Sequence, residues 1–180
     1  MKSFALALML ATAPATIACA QSTPAAQREP DVIYVPTPQP VVDAMLKLAQ
    51  VKKGDILYDL GSGDGRIPVT AARVYGIRAT GIDIDPERIA EAKANVAQNK
   101  VGNLVTIRQE DLFQADFRDA SVVTLYLLPS LNEKLKPRLL AELKPGTRIV
   151  SNTFDMGDWK PEKTEEVEGR TIYLWTVPKR

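Results

Sequence analysis

From residue 31 onward, apolar positions switch between strand-like and helix-like spacing, with no internal repeat and no low-complexity tract. Thr37-Pro38 reads as a helix N-cap with proline at the first helical position, and Val41, Met45 and Leu48 then share one face as far as about Ala49. Gly54 stops that helix. Residues 56–60 predict a short apolar strand, a glycine-rich turn fills 61–65, and Ile67, Ala71 and Val74 mark a second helix closed by Gly76. Residues 79–84 are a second strand. Asp85-Pro86 opens a helix carrying Ile89, Lys93 and Val96 to about Asn99, and residues 105–107 are a third strand. Residues 122–128 form an apolar fourth. Ser130 and Glu133 have capping-box spacing for a helix to about Lys144, with a kink or restart expected at Pro137. After Gly146 a fifth strand starts at 148–150, and residues 165–177 alternate well enough for a hairpin turning at Glu168-Gly169. The pattern predicts an α/β fold: a mostly parallel sheet with helices on both faces and a C-terminal antiparallel hairpin.

The first twenty residues stand apart. Lys2 supplies a basic start, residues 4–11 are an unbroken apolar run, and Ala18-Cys19-Ala20 has the form of a cleavage site. Residues 1–20 therefore read as a secretory signal peptide, with an apolar run too short to span a membrane. Export to a periplasm is one expectation. Cys19 also permits a lipid-anchored reading in which it becomes the acylated first residue, and a cytoplasmic chain with a frayed N-terminus is the alternative. Residues 21–30 are polar and proline-containing and read as a linker, leaving 31–180 as one domain.

Composition removes several classes of chemistry. The chain has no histidine, so Ser-His-Asp triads, Cys-His nucleophiles and imidazole bases are excluded. One cysteine permits neither a disulfide framework nor a four-cysteine zinc site within the chain. A net charge of +1 argues against a dedicated nucleic-acid binder, whose affinity rests on basic excess. No metal-ligand cluster is evident in the sequence.

The strongest chemical signal is D-L-G-S-G-D-G-R at residues 59–66. Glycines between a strand and its helix let backbone N–H groups approach a ligand without Cβ atoms in the way. A dinucleotide site would need G-x-G-x-x-G, and here the third glycine arrives one residue early. Asp59 at the strand's end suits a ligand carrying an ammonium group. Asp83 follows 24 residues later, where an acid can accept both ribose hydroxyl protons, while Asp85 is better explained as a helix cap. Asp111, after the third strand, can accept from an adenine amino group, with Leu112 or Ile84 packing the ring.

These residues carry a resemblance. The D-L-G-S-G-D-G-R, G-I-D-I-D-P and Q-E-D-L segments are similar to the first three motifs of class I S-adenosylmethionine-dependent methyltransferases, over residues 31–180. Residues 34–38 (YVPTP) and 126–132 (YLLPSLN) further resemble a family of small protein-lysine methyltransferases, including archaeal broad-specificity and mitochondrial ATP-synthase c-subunit enzymes. The resemblance implies the Rossmann-like class I fold and S-adenosyl-L-methionine as cofactor. Tyr34 and Thr37 are then expected to fold over that cofactor, alongside Asp59, Gly61, Ser62, Gly63, Asp83, Ile84, Asp111 and Leu112. The loop after the fourth strand is expected to face the acceptor, with Tyr126 lining a lysine channel and Asn132 touching substrate or serving the capping turn.

The chemistry agrees with the inventory. Methyl transfer is an in-line displacement that needs positioning above all, and a partly apolar channel lowers a lysine's pKa without a strong base. Adenine and glutamine enzymes usually carry an N-P-P-Y-like motif where this chain has L-L-P-S. The expected partner is a protein with exposed lysines; the oligomeric state is open and a monomer is compatible. Two alternatives stand: an exported cofactor-binding or silent module of the same fold, and a methyltransferase acting on a small molecule.

Overall fold

The computed structural model describes residues 33–179, so the signal-peptide and linker expectations lie outside the described residues. In chain order the elements are α1 (Gln39–Leu48), β1 (Ile56–Leu60), α2 (Arg66–Tyr75), β2 (Arg78–Asp83), α3 (Pro86–Gln98), β3 (Val105–Gln109), β4 (Val122–Leu125), α4 (Pro129–Glu142), β5 (Arg148–Asn152), β6 (Lys163–Val167) and β7 (Arg170–Thr176). The strands form one sheet in the order β3-β2-β1-β4-β5-β7-β6. The first five of these run parallel, and β7 pairs antiparallel with both β5 and β6.

Alternation along the strands divides the core in two. Tyr58, Val123, Ile149 and Trp175 stand side by side in register on one face, where Leu135 and Leu139 of α4 cover them. Their neighbours Leu57, Val122, Val150 and Leu174 face the other way, beneath α1 and α2, with Val96 of α3 packed against the same cluster. Helices do lie on both faces. The hairpin turns at Glu168 and Gly169, with φ of 52° and 70°, as a tight two-residue connection between right-twisted strands requires. Asp85 caps α3 as expected, its carboxylate accepting from the Glu87 amide at 2.8 Å.

Two local expectations fail for tertiary reasons, and no restart occurs at Pro137. Pro38, not Thr37, stands at the N-cap of α1, and no side chain caps it. The Thr37 hydroxyl instead accepts from Asn152 Nδ2 at 3.3 Å, and its carbonyl accepts from Arg66 Nη1 at 2.8 Å. No capping box forms at α4: Leu128 is the N-cap, Ser130 lies inside the first turn, and Glu133 packs where a Cβ on Gly157 would fall, 2.8 Å away. Pro137 neither stops nor restarts α4, which runs on as one element. Leu135 and Leu139, both fully buried, hold the turns on either side of it.

Candidate active site

Strand order reverses at β1, which has β2 on one side and β4 on the other. Ligands of open α/β sheets bind beyond the carboxyl ends of the strands at such a reversal. A cavity lies there, lined by the ends of β1 and β2, the glycine turn, the segment before α1, the loop after β3 and the loop after β4.

At its floor is Asp59, 3% exposed. Thr124, its register partner on β4, donates to Asp59 Oδ1 at 2.7 Å. Among the described residues no cation pairs with this carboxylate. Burial pushes its pKa up to about 8 against the lowering effect of the Thr124 bond, and the Asp83 and Asp64 carboxylates add to the rise.

The glycine turn departs from the expectation in one respect. Its amides are already used: those of Gly61 and Ser62 donate to the Ile82 carbonyl at 2.9 Å, Gly65 to the Ser62 carbonyl at 2.9 Å, and Gly63 to Asp83 Oδ2 at 2.8 Å. Glycine is needed here for φ and for space. Gly61 has φ of 84°, and a Cβ on it would sit 2.8 Å from Leu127 Cδ2. A Cβ on Gly63, at φ of 51°, would collide with the Tyr34 ring. Asp83 Oδ1 accepts from the Asp85 amide at 3.0 Å, so each carboxylate oxygen holds one N–H and keeps a lone pair for a ligand hydroxyl. Asp111 Oδ1 accepts from the Phe113 amide at 2.9 Å and shapes the loop after β3.

Residues 33–38 lie over the turn as a strap. Arg88 stands 4.8 Å from the Tyr34 ring centroid, and the ring's edge atoms pack against Gly63. Burial, then the adjacent Asp64 carboxylate, holds the Tyr34 hydroxyl above its usual pKa. Arg66 forks onto Asp64 at 2.7–2.9 Å while also holding the Thr37 carbonyl. Burial opposes ionisation of Asp64, but the Arg66 hydrogen bonds and charge together keep it below the usual carboxylate range.

Ten of the sequence-predicted residues line the cavity: Tyr34, Thr37, Asp59, Gly61, Ser62, Asp83, Ile84, Asp111, Leu112 and Tyr126. Gly63 is instead shielded by Tyr34. Asn132 does not line the cavity. It is fully buried at the start of α4, and its Nδ2 donates to the carbonyls of Phe154 and Asp155 at 3.2 and 3.0 Å, tying α4 to the loop after β5. Sequence reasoning missed Arg66 and Arg88, which line the cavity and hold the strap. Arg66 was in view as the last residue of the glycine motif; nothing local marked Arg88.

The profile of the ANTKMT methyltransferase domain matches residues 59–163. A protein-lysine N-methyltransferase of Saccharolobus islandicus is 46% identical over 153 residues, covering 82% of this chain and 95% of the relative. The adenine nucleotide translocase lysine N-methyltransferase of Mus musculus is 35% identical over 72% of this chain, which spans 56% of that longer protein. Among solved structures, an RNA methyltransferase from Salinibacter ruber in complex with S-adenosyl-L-homocysteine shares 56% identity at a TM-score of 0.80, over 81% of this chain and 95% of that one. With the match opening at Asp59 itself and running into β6, the chain belongs to the ANTKMT methyltransferase domain family.

Proposed function

We propose that the protein transfers the methyl group of S-adenosylmethionine to lysine ε-amines of proteins. The observation carrying the acceptor is the 46% identity to a relative named protein-lysine N-methyltransferase, across 95% of that relative. The cavity suits the cofactor on its own chemistry. Asp59 is a buried carboxylate lacking a cation among the described residues, so a ligand ammonium completes it. Asp83 retains acceptor capacity for ribose hydroxyls, and Asp111, Ile84 and Leu112 frame an adenine site.

When bound, the cofactor supplies a methyl group on a cationic sulfur, an electrophile that needs aim more than activation. The chain's residues do the aiming. Asp59 and Asp83 anchor the two polar ends, Tyr34 and Thr37 keep water out from above, and Tyr126 borders the side from which an acceptor enters. A lysine entering that apolar side loses its proton more readily than in water.

The description of the Salinibacter structure favours a second reading, an RNA acceptor. Against it stand the net charge of +1 and the two cavity arginines, both already engaged, Arg66 by Asp64 and Arg88 by Glu91 at 3.0 Å. Incubation with methyl-labelled cofactor and a whole-cell lysate separates the readings. Label that survives nuclease and maps to lysine by mass spectrometry supports the first; label lost to ribonuclease, with lysine untouched, overturns it.

Residues 1–20 are proposed as a removable leader. The N-terminus of protein recovered from cells decides among Gln21, an acylated Cys19 and an intact Met1.

A further inference from the structure

The tyrosine bordering the acceptor side is itself held from outside the cavity. Tyr126 lies just past β4, and Arg170 is the first residue of β7, so the arginine reaches across β5 to meet it. Arg170 Nη1 donates to Tyr126 Oη at 2.6 Å, with the guanidinium carbon 5.5 Å from the ring centroid. Phe154 stacks on the same ring at 6.2 Å between centroids and 24° between planes. Arg170 does not line the cavity, and among the described residues no carboxylate forms an ion pair with it. Its charge is therefore directed at a phenol oxygen.

A tyrosine hydroxyl has one proton and two lone pairs, whereas a guanidinium only donates. Arg170 takes one lone pair and fixes where the other points. A neutral amine has two N–H bonds and one lone pair. Giving one N–H to Tyr126 Oη leaves its lone pair free to form the N–C bond, while the C–S bond breaks and its electron pair stays on sulfur. The methylated ammonium then returns a proton to solvent. A protonated lysine has no lone pair to offer, and a fixed cation one hydrogen bond away disfavours it.

We propose that Arg170 is a positioning residue for methyl transfer, orienting Tyr126 Oη toward the acceptor amine and favouring its neutral form. This rests on the lysine reading above. Other ionisable groups on the hairpin, β5 with its following loop, and α4 include Glu165, Glu166, Glu168, Arg148, Asp155 and Glu133. Across the cavity stand Asp59, Asp83, Arg66 and Arg88. All are unchanged in the variants below, so their titration divides out of a rate ratio.

The test uses the full chain, saturating S-adenosylmethionine and lysate proteins, with methyl-lysine formation rates measured by mass spectrometry from pH 7.5 to 10.5. The parent-to-Arg170→Gln ratio is expected at about tenfold at pH 7.5, falling by pH 10.5, where the free amine is abundant without help, to no more than the pH-independent factor that Tyr126→Phe shows. Arg170→Lys, which keeps the charge, stays within about threefold of the parent, and Tyr126→Phe lowers the rate by a factor independent of pH. Cofactor affinity, measured by calorimetry, is unchanged throughout. A ratio for Arg170→Gln that is flat with pH overturns the inference, since a merely structural arginine would give that. Loss of cofactor binding in both Arg170→Gln and Arg170→Met overturns it too. If the parent itself forms no methyl-lysine, the lysine reading fails and takes this inference with it; lysine methylation by the parent with a flat ratio fails the inference alone.

Discussion

β1 is flanked by two buried aspartates four residues apart, and they behave oppositely. Asp55, just before the strand and 7% exposed, accepts from the Lys52 amide and the Ser121 hydroxyl at 2.8 Å and from Arg148 Nη2 at 2.5 Å. Arg148 also donates to the carbonyls of Ala49 and Gln50 at 2.8 and 2.9 Å, fastening the end of α1 to the amino ends of β1 and β5. Burial opposes ionisation of Asp55, but these bonds and the Arg148 charge outweigh it, and its pKa falls below the usual range. Asp59, at the strand's other end, has one hydroxyl and, among the described residues, no cation, and its pKa rises to about 8. One carboxylate is completed within the fold and stabilises it. The other is left incomplete at stability's expense, as a site shaped for a cationic ligand would be.

Five measurements break or sharpen that contrast. The largest effect is expected from Asp55→Ala, which strands the Arg148 charge and destabilises the fold by about 3–4 kcal/mol in denaturant unfolding, leaving the cofactor affinity of folded protein unchanged. A loss below about 1 kcal/mol would place Asp55 among ordinary surface acids.

Asp59→Asn keeps the acceptor for Thr124 and removes the charge. Cofactor affinity should fall about a hundredfold, roughly 2–3 kcal/mol by calorimetry. Stability of the ligand-free protein moves the other way. A folded-state pKa of about 8 lies above the unfolded value of about 3.9. The contribution of the protonated group is thus whole below about pH 4 and lost progressively as pH rises through about 8. Asparagine loses nothing over that window, so the Tm advantage of the variant should open between pH 4 and 8. No pH dependence in the Tm difference would refute a raised Asp59 pKa.

Asp83→Ala removes the proposed ribose acceptor and the bond to Gly63, and should weaken cofactor binding by about 1–3 kcal/mol. Equal affinity would end the ribose assignment. In the parent, binding between pH 5.5 and 7.5 should tighten with pH, by up to about tenfold per unit, because Asp59 must ionise to meet the ammonium. Calorimetry in buffers of different ionisation enthalpy would detect the released proton. The smallest effect belongs to Thr124→Val. Without its hydroxyl, ionised Asp59 loses the one donor it has among the described residues, weakening binding by about 1 kcal/mol and shifting the pH dependence upward.

What was legible in the sequence was local. The strand–turn–helix at 56–75, the Asp85-Pro86 start of α3 and the Glu168-Gly169 turn came from capping chemistry, periodicity and glycine's positive φ, each decided within a few residues. The acidic pair Asp59 and Asp83 was legible because a sheet delivers both strand ends to one side. Thr37 and Ser130 were misread because their cap signals compete with partners far along the chain: Arg66 and Asn152 hold Thr37, 29 and 115 residues away. Asn132 reads from its motif as a substrate contact or a member of the capping turn, and only the fold shows its Nδ2 donating to the carbonyls of Phe154 and Asp155.

The sequence alone determined which elements form, their order, and the placing of a glycine turn between two strand-end acids, because dihedral preference and side-chain period are properties of short segments. Tertiary structure decided what each acid became. Asp55 acquires Arg148 from 93 residues away, Asp59 acquires Thr124 from 65, and Tyr126 acquires Arg170 from 44. Burial and neighbouring charge set a carboxylate's protonation, and neither exists until distant strands are brought into register beside it.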